Sequence, residues 1–261
     1  LRCASDATIL GTLAHFKLST CFFLVSKEQI MEVVDLTQTI HDEMQIYAGD
    51  PAPAIRRFLT HDKDYCHVDM IRLGSHTGTH VDAPYHFLKD GMKISEIPVQ
   101  RFIGSGVLLD VSGKSDREPI EPGDIEPYRS DIEKGDFAVF MTGWDRYLGT
   151  PRYLQHPCLS AGGAGLLLEL GVVLVGIDAL NIDFTSPDVN SSDGPAQDAG
   201  DEDQDYPAHD ILLGNNILIV ENLCNLDKIK QVRGLYSFLP LKLKDSDGSP
   251  IRAVFIDGTN E

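Results

Sequence analysis

Residues 75–87 read SHTGTHVDAPYHF. His76, His80, Asp82 and His86 fall within eleven positions, interleaved with Gly78 and Pro84, in a chain that has nine histidines in all. A third of the histidines on so short a segment marks either a metal site or an unusually polar surface strand.

A helix is the poorer local reading. The spacing of four from His76 to His80 matches one helix face, as in helical zinc sites, but Thr77, Gly78 and Thr79 lie between and make a poor helix. Extended backbone explains more. Positions 76, 80, 82 and 86 share a parity, so on a strand their side chains share a face while Thr77, Thr79 and Val81 take the other. A flat strand holds His76 and His80 roughly 13 Å apart, which two imidazoles on one ion barely span. The chain is therefore expected to bend at Gly78, which tolerates the dihedrals, and to turn at Pro84 so that His86 comes back to the group. Imidazoles with a carboxylate suit Zn2+ or Mn2+, and three protein ligands leave coordination positions open, as catalytic sites do. His86 then stands as a fourth polar group able to move protons. A lone histidine here would read as a surface residue; four groups of one parity around a glycine and a proline read as a metal site.

Further ligands are sought elsewhere. His209 stands in YPAHDILLGNNILIVENL (206–223), before a turn at LGNN and an apolar strand ILIV that ends in Glu221. A carboxylate ending a buried strand is costly unless it is paired or holds an ion; the plain alternative is a surface cap on the strand. His15, His41, His61 and His67 have no comparable context.

Around these segments the chain reads as one α/β domain with a mixed sheet. Strands rich in Val, Ile and Phe are expected at 31–36, 68–73, 106–111, 137–142, 172–177, 217–220 and 253–256. A helix is expected from Ala161, with Ser160 as its N-cap and Gly171 as its stop, and a short helix and turn within 121–136. Residues 1–31 read as a weakly ordered extension preceding a domain over 32–261. The apolar run CFFLV near its start is too short to span a bilayer and lacks the cleavage pattern of a secretory signal.

Net charge is −18, which argues against nucleic acid or an anionic membrane surface as partner. Residues 188–205 hold seven acids and no Lys or Arg, the composition of a solvated loop. Asp201, Asp203 and Asp205 are followed by Tyr206-Pro207, without the glycine a calcium loop needs. Five scattered cysteines with no C-x-x-C pair fit neither a disulfide framework nor a zinc ribbon. They suggest a reducing compartment, hence a cytoplasmic protein.

HTGTHVDAPYHF resembles the H-x-G-T-H-x-D-x-P-x-H-F signature of the cyclase family of metal-dependent hydrolases, which includes bacterial-type kynurenine formamidase and isatin hydrolase. YAGDP (47–51), GDFAVFMTGW (135–144), VGIDALNID (175–183) and PAHDILLGNNILIVENL are similar to further family segments, so the likeness runs over most of the chain from about Val33. The resemblance implies a single layered β/β/α, swivelling-type domain and a homodimer or larger homo-oligomer. It makes His76, His80 and Asp82 ligands of one ion. In dinuclear members Asp82, His209 and Glu221 hold a second, and His86 acts as general acid/base. Zn2+ is the ion implied, one or two per chain, with Mn2+ the alternative. The reaction implied is hydrolysis of a C–N amide bond of an aryl formamide by metal-activated water, as in tryptophan catabolism. The alternatives are an isatin-hydrolase-like opening of a cyclic amide or lactone, a cyclase or dehydratase, and a non-catalytic metal-binding protein. Two departures stand out. Tyr47 replaces the tryptophan that packs on the substrate's aromatic ring in the formamidases, and the acidic segment before His209 is longer than the family pattern. Tyr85 and Phe87 are further aromatic groups expected near the site.

Overall fold

The computed structural model describes residues 32–185 and 206–257. The expected N-terminal extension and the acidic segment 188–205 lie outside the described residues. In chain order the strands are β1 (Val33–Asp35), β2 (Ala54–Leu59), β3 (Val68–Arg72), β4 (His80–Asp82), β5 (Ile103–Asp110) and β6 (Pro119–Ile120). They continue with β7 (Phe137–Met141), β8 (Cys158–Leu159), β9 (Leu174–Ile177), β10 (Leu218–Glu221), β11 (Arg233–Pro240) and β12 (Gly248–Ile256). The helices are α1 (His61–Asp64), α2 (Pro122–Ile125), α3 (Ala161–Leu170) and α4 (Pro207–Gly214).

Eight strands form one sheet in the order β1-β12-β11-β5-β7-β9-β10-β4, and β4 also pairs with the first residues of β12. That second pairing closes seven strands into a barrel-like ring, with β1 attached along the far half of β12. Strands β5, β7, β9 and β10 run parallel, while β4, β11 and β12 pair antiparallel. The sheet is mixed, as the sequence led us to expect.

Alternation along the parallel strands sorts the core into two layers. Leu108, Phe137, Val139, Leu174, Leu218 and Val220 point to the interior of the ring, where they meet Val81, Tyr236, Phe238 and Phe255. Their neighbours Val107, Leu109, Ala138, Phe140, Val175, Ile177 and Ile219 point outward and are covered by Ala164 and Leu167 of α3 and by Ala208, Leu212 and Leu213 of α4. Helix α3 begins where expected: the Ser160 hydroxyl accepts from Gly163 N at 3.0 Å, and Gly171 ends it with a positive φ.

Three of the longer elements differ from the sequence reading. The stretch holding His209 is a helix, α4, rather than an approach to a turn: Pro207 opens it, where a missing N–H costs nothing, and Ala208, Leu212 and Leu213 form its buried face. Strand β11 was not expected because Gly234, Ser237 and Pro240 interrupt its apolar residues. Strand β2 escaped the pattern because Arg56 and Arg57 fill its centre; it pairs only with β3, in a hairpin outside the large sheet.

Two glycines give a test of opposite sign. A methyl at Gly106, between β7 and β11, would meet the Phe137 carbonyl at 2.8 Å and the Tyr236 ring at 3.0 Å, whereas at Gly165 on α3 it would meet nothing within 4 Å. Gly106→Ala should lower unfolding stability by about 1–3 kcal/mol and Gly165→Ala raise it by about 0.5–1 kcal/mol, both read from urea denaturation midpoints.

Candidate metal centre

Strand β4 is only three residues long, yet its neighbours place every group that follows. Val81 points into the ring interior, so His80 and Asp82 point out to the helix-covered face. On β10, antiparallel to β4, Glu221 lies opposite His80 and Ile219 opposite Asp82. The register therefore sets the Glu221 carboxylate on the same face. His76 arrives by the expected bend: Gly78 has φ +64°, and the His76 and His80 rings sit 4.9 Å apart, centroid to centroid, instead of spread along a strand. Pro84 opens a 3-10 turn over Pro84–His86 that returns His86 to within 4.1 Å of the His76 ring. From the other side, α4 delivers His209 from its first turn.

Each imidazole has one nitrogen committed and one turned inward. His80 Nδ1 lies 2.7 Å from the Gly78 carbonyl and so carries the proton, which leaves Nε2 facing Asp82 Oδ1 at 3.3 Å and Glu221 Oε2 at 3.5 Å. His209 Nδ1 donates to Asp183 Oδ2 at 2.8 Å, leaving Nε2 3.8 Å from Asp82 Oδ2 and 3.7 Å from Glu221 Oε1. His76 Nε2 donates to Asp247 Oδ2 at 2.9 Å, and Nδ1 lies 2.7 Å from Asp82 Oδ1. A carboxylate or carbonyl behind each ring fixes its tautomer, as behind metal-bound histidines. Asp183 also accepts from Ala208 N and His209 N at 2.9 Å each, pinning the start of α4, where a negative charge is favoured.

Asp82 is the anomaly. Both its oxygens are buried, and neither accepts a properly directed hydrogen bond. Separations of 3.3–3.8 Å to His80 and His209 are too long for good N–H···O bonds. They match instead the spacing of about 3.4 Å between two ligands that each stand ~2.1 Å from one tetrahedral ion. Ligand atoms of His76, His80 and Asp82 lie within 4.8 Å of one another, and so do those of Asp82, His209 and Glu221. With two triads sharing Asp82, the donor set fits one or two divalent cations.

The electrostatics agree. Counting only the protein's own groups, burial works against a charged His76 and His209, but the carboxylates around them prevail and push the pKa values up to about 11 and about 10. His80 is raised for the same reason. Burial favours the neutral form of Asp82, but His80 and His76 outweigh it and hold the carboxyl well below its usual range. Burial and the Asp82 charge raise Glu221. A buried pair of carboxylates demands positive charge, and protons and cations compete to supply it.

Nearby groups shape the approach. A cavity of about 240 Å³ opens onto the centre, lined among others by Tyr47, Asp50, His86, Phe87, Tyr206 and Asn222. Phe87 stacks on the His209 ring at 4.5 Å, and Tyr206 meets Phe87 edge-on. The Tyr47 and Tyr206 hydroxyls are 3.1 Å apart. Tyr85, expected near the site, does not line the cavity and lies under Lys93 instead. The Thr-Gly-Trp segment serves the scaffold: Thr142 N, Thr142 Oγ1 and Gly143 N donate to buried Asp178, tying the ends of β7 and β9 together. Sequence reasoning named His76, His80, Asp82, His86, His209, Glu221 and Tyr47; six of these line the cavity, and Asp82 lies buried among His76, His80, His209 and Glu221. It missed Asp183, Asp247 and Tyr206. Asp183 ends a segment already singled out, whereas Asp247 lies in a polar turn with no local signal.

A family model described as "Putative cyclase" matches residues 34–184. Kynurenine formamidase of Bacillus cereus is 29% identical over 225 residues, covering 85% of this chain and 96% of that protein. An isatin hydrolase solved with the product analogue thioisatinate superposes with a TM-score of 0.75 at 27% identity, covering 87% of this chain and 92% of its own. A structure titled a potential metal-dependent hydrolase with cyclase activity superposes with a TM-score of 0.68 at 27% identity, covering 88% of this chain and 100% of its own.

Because cations must displace protons from raised imidazoles, binding should release protons and tighten as pH rises. The sign follows from the upward shifts of His76, His80 and His209. Zn2+ titration by calorimetry between pH 6 and 8 should show affinity rising about tenfold per pH unit for each proton released; a flat profile would contradict the assignment.

Proposed function

The chain belongs to the Cyclase family, and on that premise we propose that it is a metal-dependent hydrolase of C–N amide bonds, acting on an aryl formamide or related aryl amide. The observation that carries the reading is Asp82, buried between three imidazoles and Glu221 with no directed hydrogen bond to either oxygen, behind an aromatic-lined cavity onto which those imidazoles and Glu221 open. In this reading His76, His80 and Asp82 hold one ion, Asp82, His209 and Glu221 hold a second, and Zn2+ is preferred to Mn2+. The presence of Glu221 at the second triad supports two ions.

A divalent cation in such a site polarises the carbonyl and lowers the pKa of water from ~15.7 to ~7. The chain's own residues do the rest. Tyr47, Phe87 and Tyr206 form a wall against which a planar ring packs. His86 lines the cavity with Nδ1 directed to Asp247 at 3.1 Å, so Nε2 is its free nitrogen. It takes the proton that the attacking water loses and delivers it to the leaving nitrogen, so the imidazole ends as it began and the amide becomes acid plus amine. General acid/base transfer of this kind is typically worth about 10²–10⁴-fold.

A second reading, opening of a cyclic amide or lactone, uses the same centre and draws on the isatin hydrolase likeness. A homodimer or larger homo-oligomer belongs to the proposal, to be read by sedimentation. So does a cytoplasmic setting, supported by the free thiols of Cys66, Cys158 and Cys224. Among the described residues no helix is long and apolar enough to cross a membrane.

Two outcomes test the roles. His86→Ala should keep its metal, by elemental analysis, and lose about 10²-fold or more of kcat, whereas His80→Ala should lose both; full kcat in His86→Ala would remove the proton-transfer role. Among the described residues the cavity wall has no Lys or Arg, and it includes Asp50, a carboxyl that burial raises. Formanilide should therefore be hydrolysed with higher kcat/KM than N-formylanthranilate, its carboxylate-bearing counterpart; the reverse order would contradict this account of the wall.

A further inference from the structure

Asp247 stands behind two imidazoles at once. Its Oδ2 accepts from His76 Nε2 at 2.9 Å and from His86 Nδ1 at 3.1 Å. One carboxylate oxygen has two lone pairs and can take both bonds. The two rings lie 4.1 Å apart, tilted by 35°, so neither can turn freely past the other.

The carboxylate is itself fixed from its backbone. The Asp247 carbonyl accepts from Ala83 N at 2.8 Å, one residue past Asp82, and the preceding Ser246 carbonyl accepts from Ile94 N at 2.9 Å. Gly248 then starts the pairing of β12 with β4 directly opposite Asp82. The turn carrying Asp247 is thus bonded to the strand that carries the centre, although 161 residues separate Asp247 from His86. The side chain is partly buried, at 32% exposure, which leaves its charge only partly screened.

We propose that Asp247 is the positioning residue of the reaction, a single carboxylate that holds His76 with Nδ1 toward the cation and His86 with Nε2 toward the substrate. The inference rests on the amide-hydrolase reading for its kinetic consequence, but not for its structural one. By donating Nε2–H to Asp247, His76 keeps the Nδ1 lone pair free for the centre. By donating Nδ1–H to the same oxygen, His86 keeps Nε2 as the atom that exchanges its proton, and the carboxylate stabilises the imidazolium formed meanwhile. An aspartate behind a catalytic histidine works this way in the serine hydrolase triad. Here the same oxygen also supports a metal-facing ring, so the two functions share one support.

Asp247→Asn preserves size and tests both halves. An amide can turn its NH2 toward His86 and enforce the wrong tautomer. Zn2+ affinity should weaken about 10–100-fold, the usual consequence of losing a hydrogen-bond acceptor behind a ligand. At saturating Zn2+, kcat should fall about 10²-fold or more while KM changes by less than about threefold. At saturating Zn2+, in a His86→Ala background Asp247→Asn should lower kcat no further, because the partner through which it acts on proton transfer is gone. Histidine 15N shifts of the wild-type, Zn2+-loaded protein give a readout independent of any variant and of any substrate: His86 should be protonated at Nδ1. An Nε2-protonated His86, additive losses in the double variant, or unchanged Zn2+ affinity and kcat in Asp247→Asn would overturn the proposal. Because His76, His86 and Asp247 also lie within 4.8 Å of one another, loss of one whole Zn2+ per chain at saturation would assign Asp247 as a ligand and overturn it too. If the wild type hydrolyses no amide, the functional reading fails while the 15N and Zn2+ measurements still decide the role of Asp247.

Discussion

Two carboxylates, Asp82 and Glu221, are buried within reach of the same imidazoles, and neither Asp82 oxygen accepts a properly directed hydrogen bond, although His76 Nδ1 lies 2.7 Å from Oδ1. Burying such charge without compensation costs several kcal/mol per ion. No fold keeps that arrangement by accident, since an apolar pair of the same volume would be cheaper. The need for positive charge at one point between Asp82, Glu221 and the three rings is the constraint on which the surrounding structure depends. It accounts for the bend at Gly78, for the antiparallel register that sets Glu221 against His80, and for a helix whose first turn is pinned by Asp183 so that His209 faces inward.

The scaffold supplies rigidity by closing on itself. The pairing of β4 with both β10 and β12 leaves this short strand without a free edge, and Val81 anchors it in the interior layer. Strands β9 and β10 end at the centre with their parallel partners behind them, and the Asp178 bonds to Thr142 and Gly143 hold the neighbouring strand ends together. The candidate centre therefore sits at the carboxyl ends of parallel strands, where side chains project beyond the sheet.

Much of this was legible in the sequence because the decisive information is local. Parity, a glycine and a proline within thirteen residues were enough to fold His76, His80, Asp82 and His86 together. Ser160 and Gly171 marked both ends of α3. Local context marked His209 and Glu221 only as candidates, with a surface cap on the strand left open for Glu221. Their assignment to the cluster came through the family resemblance, since nothing local says that residues more than a hundred positions apart come together. Helix α4 was overlooked because eight residues give barely two turns of pattern. Strands β2 and β11 were overlooked because paired arginines and interspersed Gly, Ser and Pro hide their alternation. Asp247 was invisible for a different reason: an aspartate in a polar turn has the sequence signature of any turn, and only tertiary pairing shows what it faces.

Anomalous diffraction from crystals of the protein grown with Zn2+, collected on either side of the zinc absorption edge, tests the central claim most directly. The account predicts strong peaks ~2.0–2.2 Å from Asp82, one beside His76 and His80 and one beside His209 and Glu221. Density showing the Asp82 oxygens bonded only to protonated imidazoles or to water, with no anomalous peak, would contradict it.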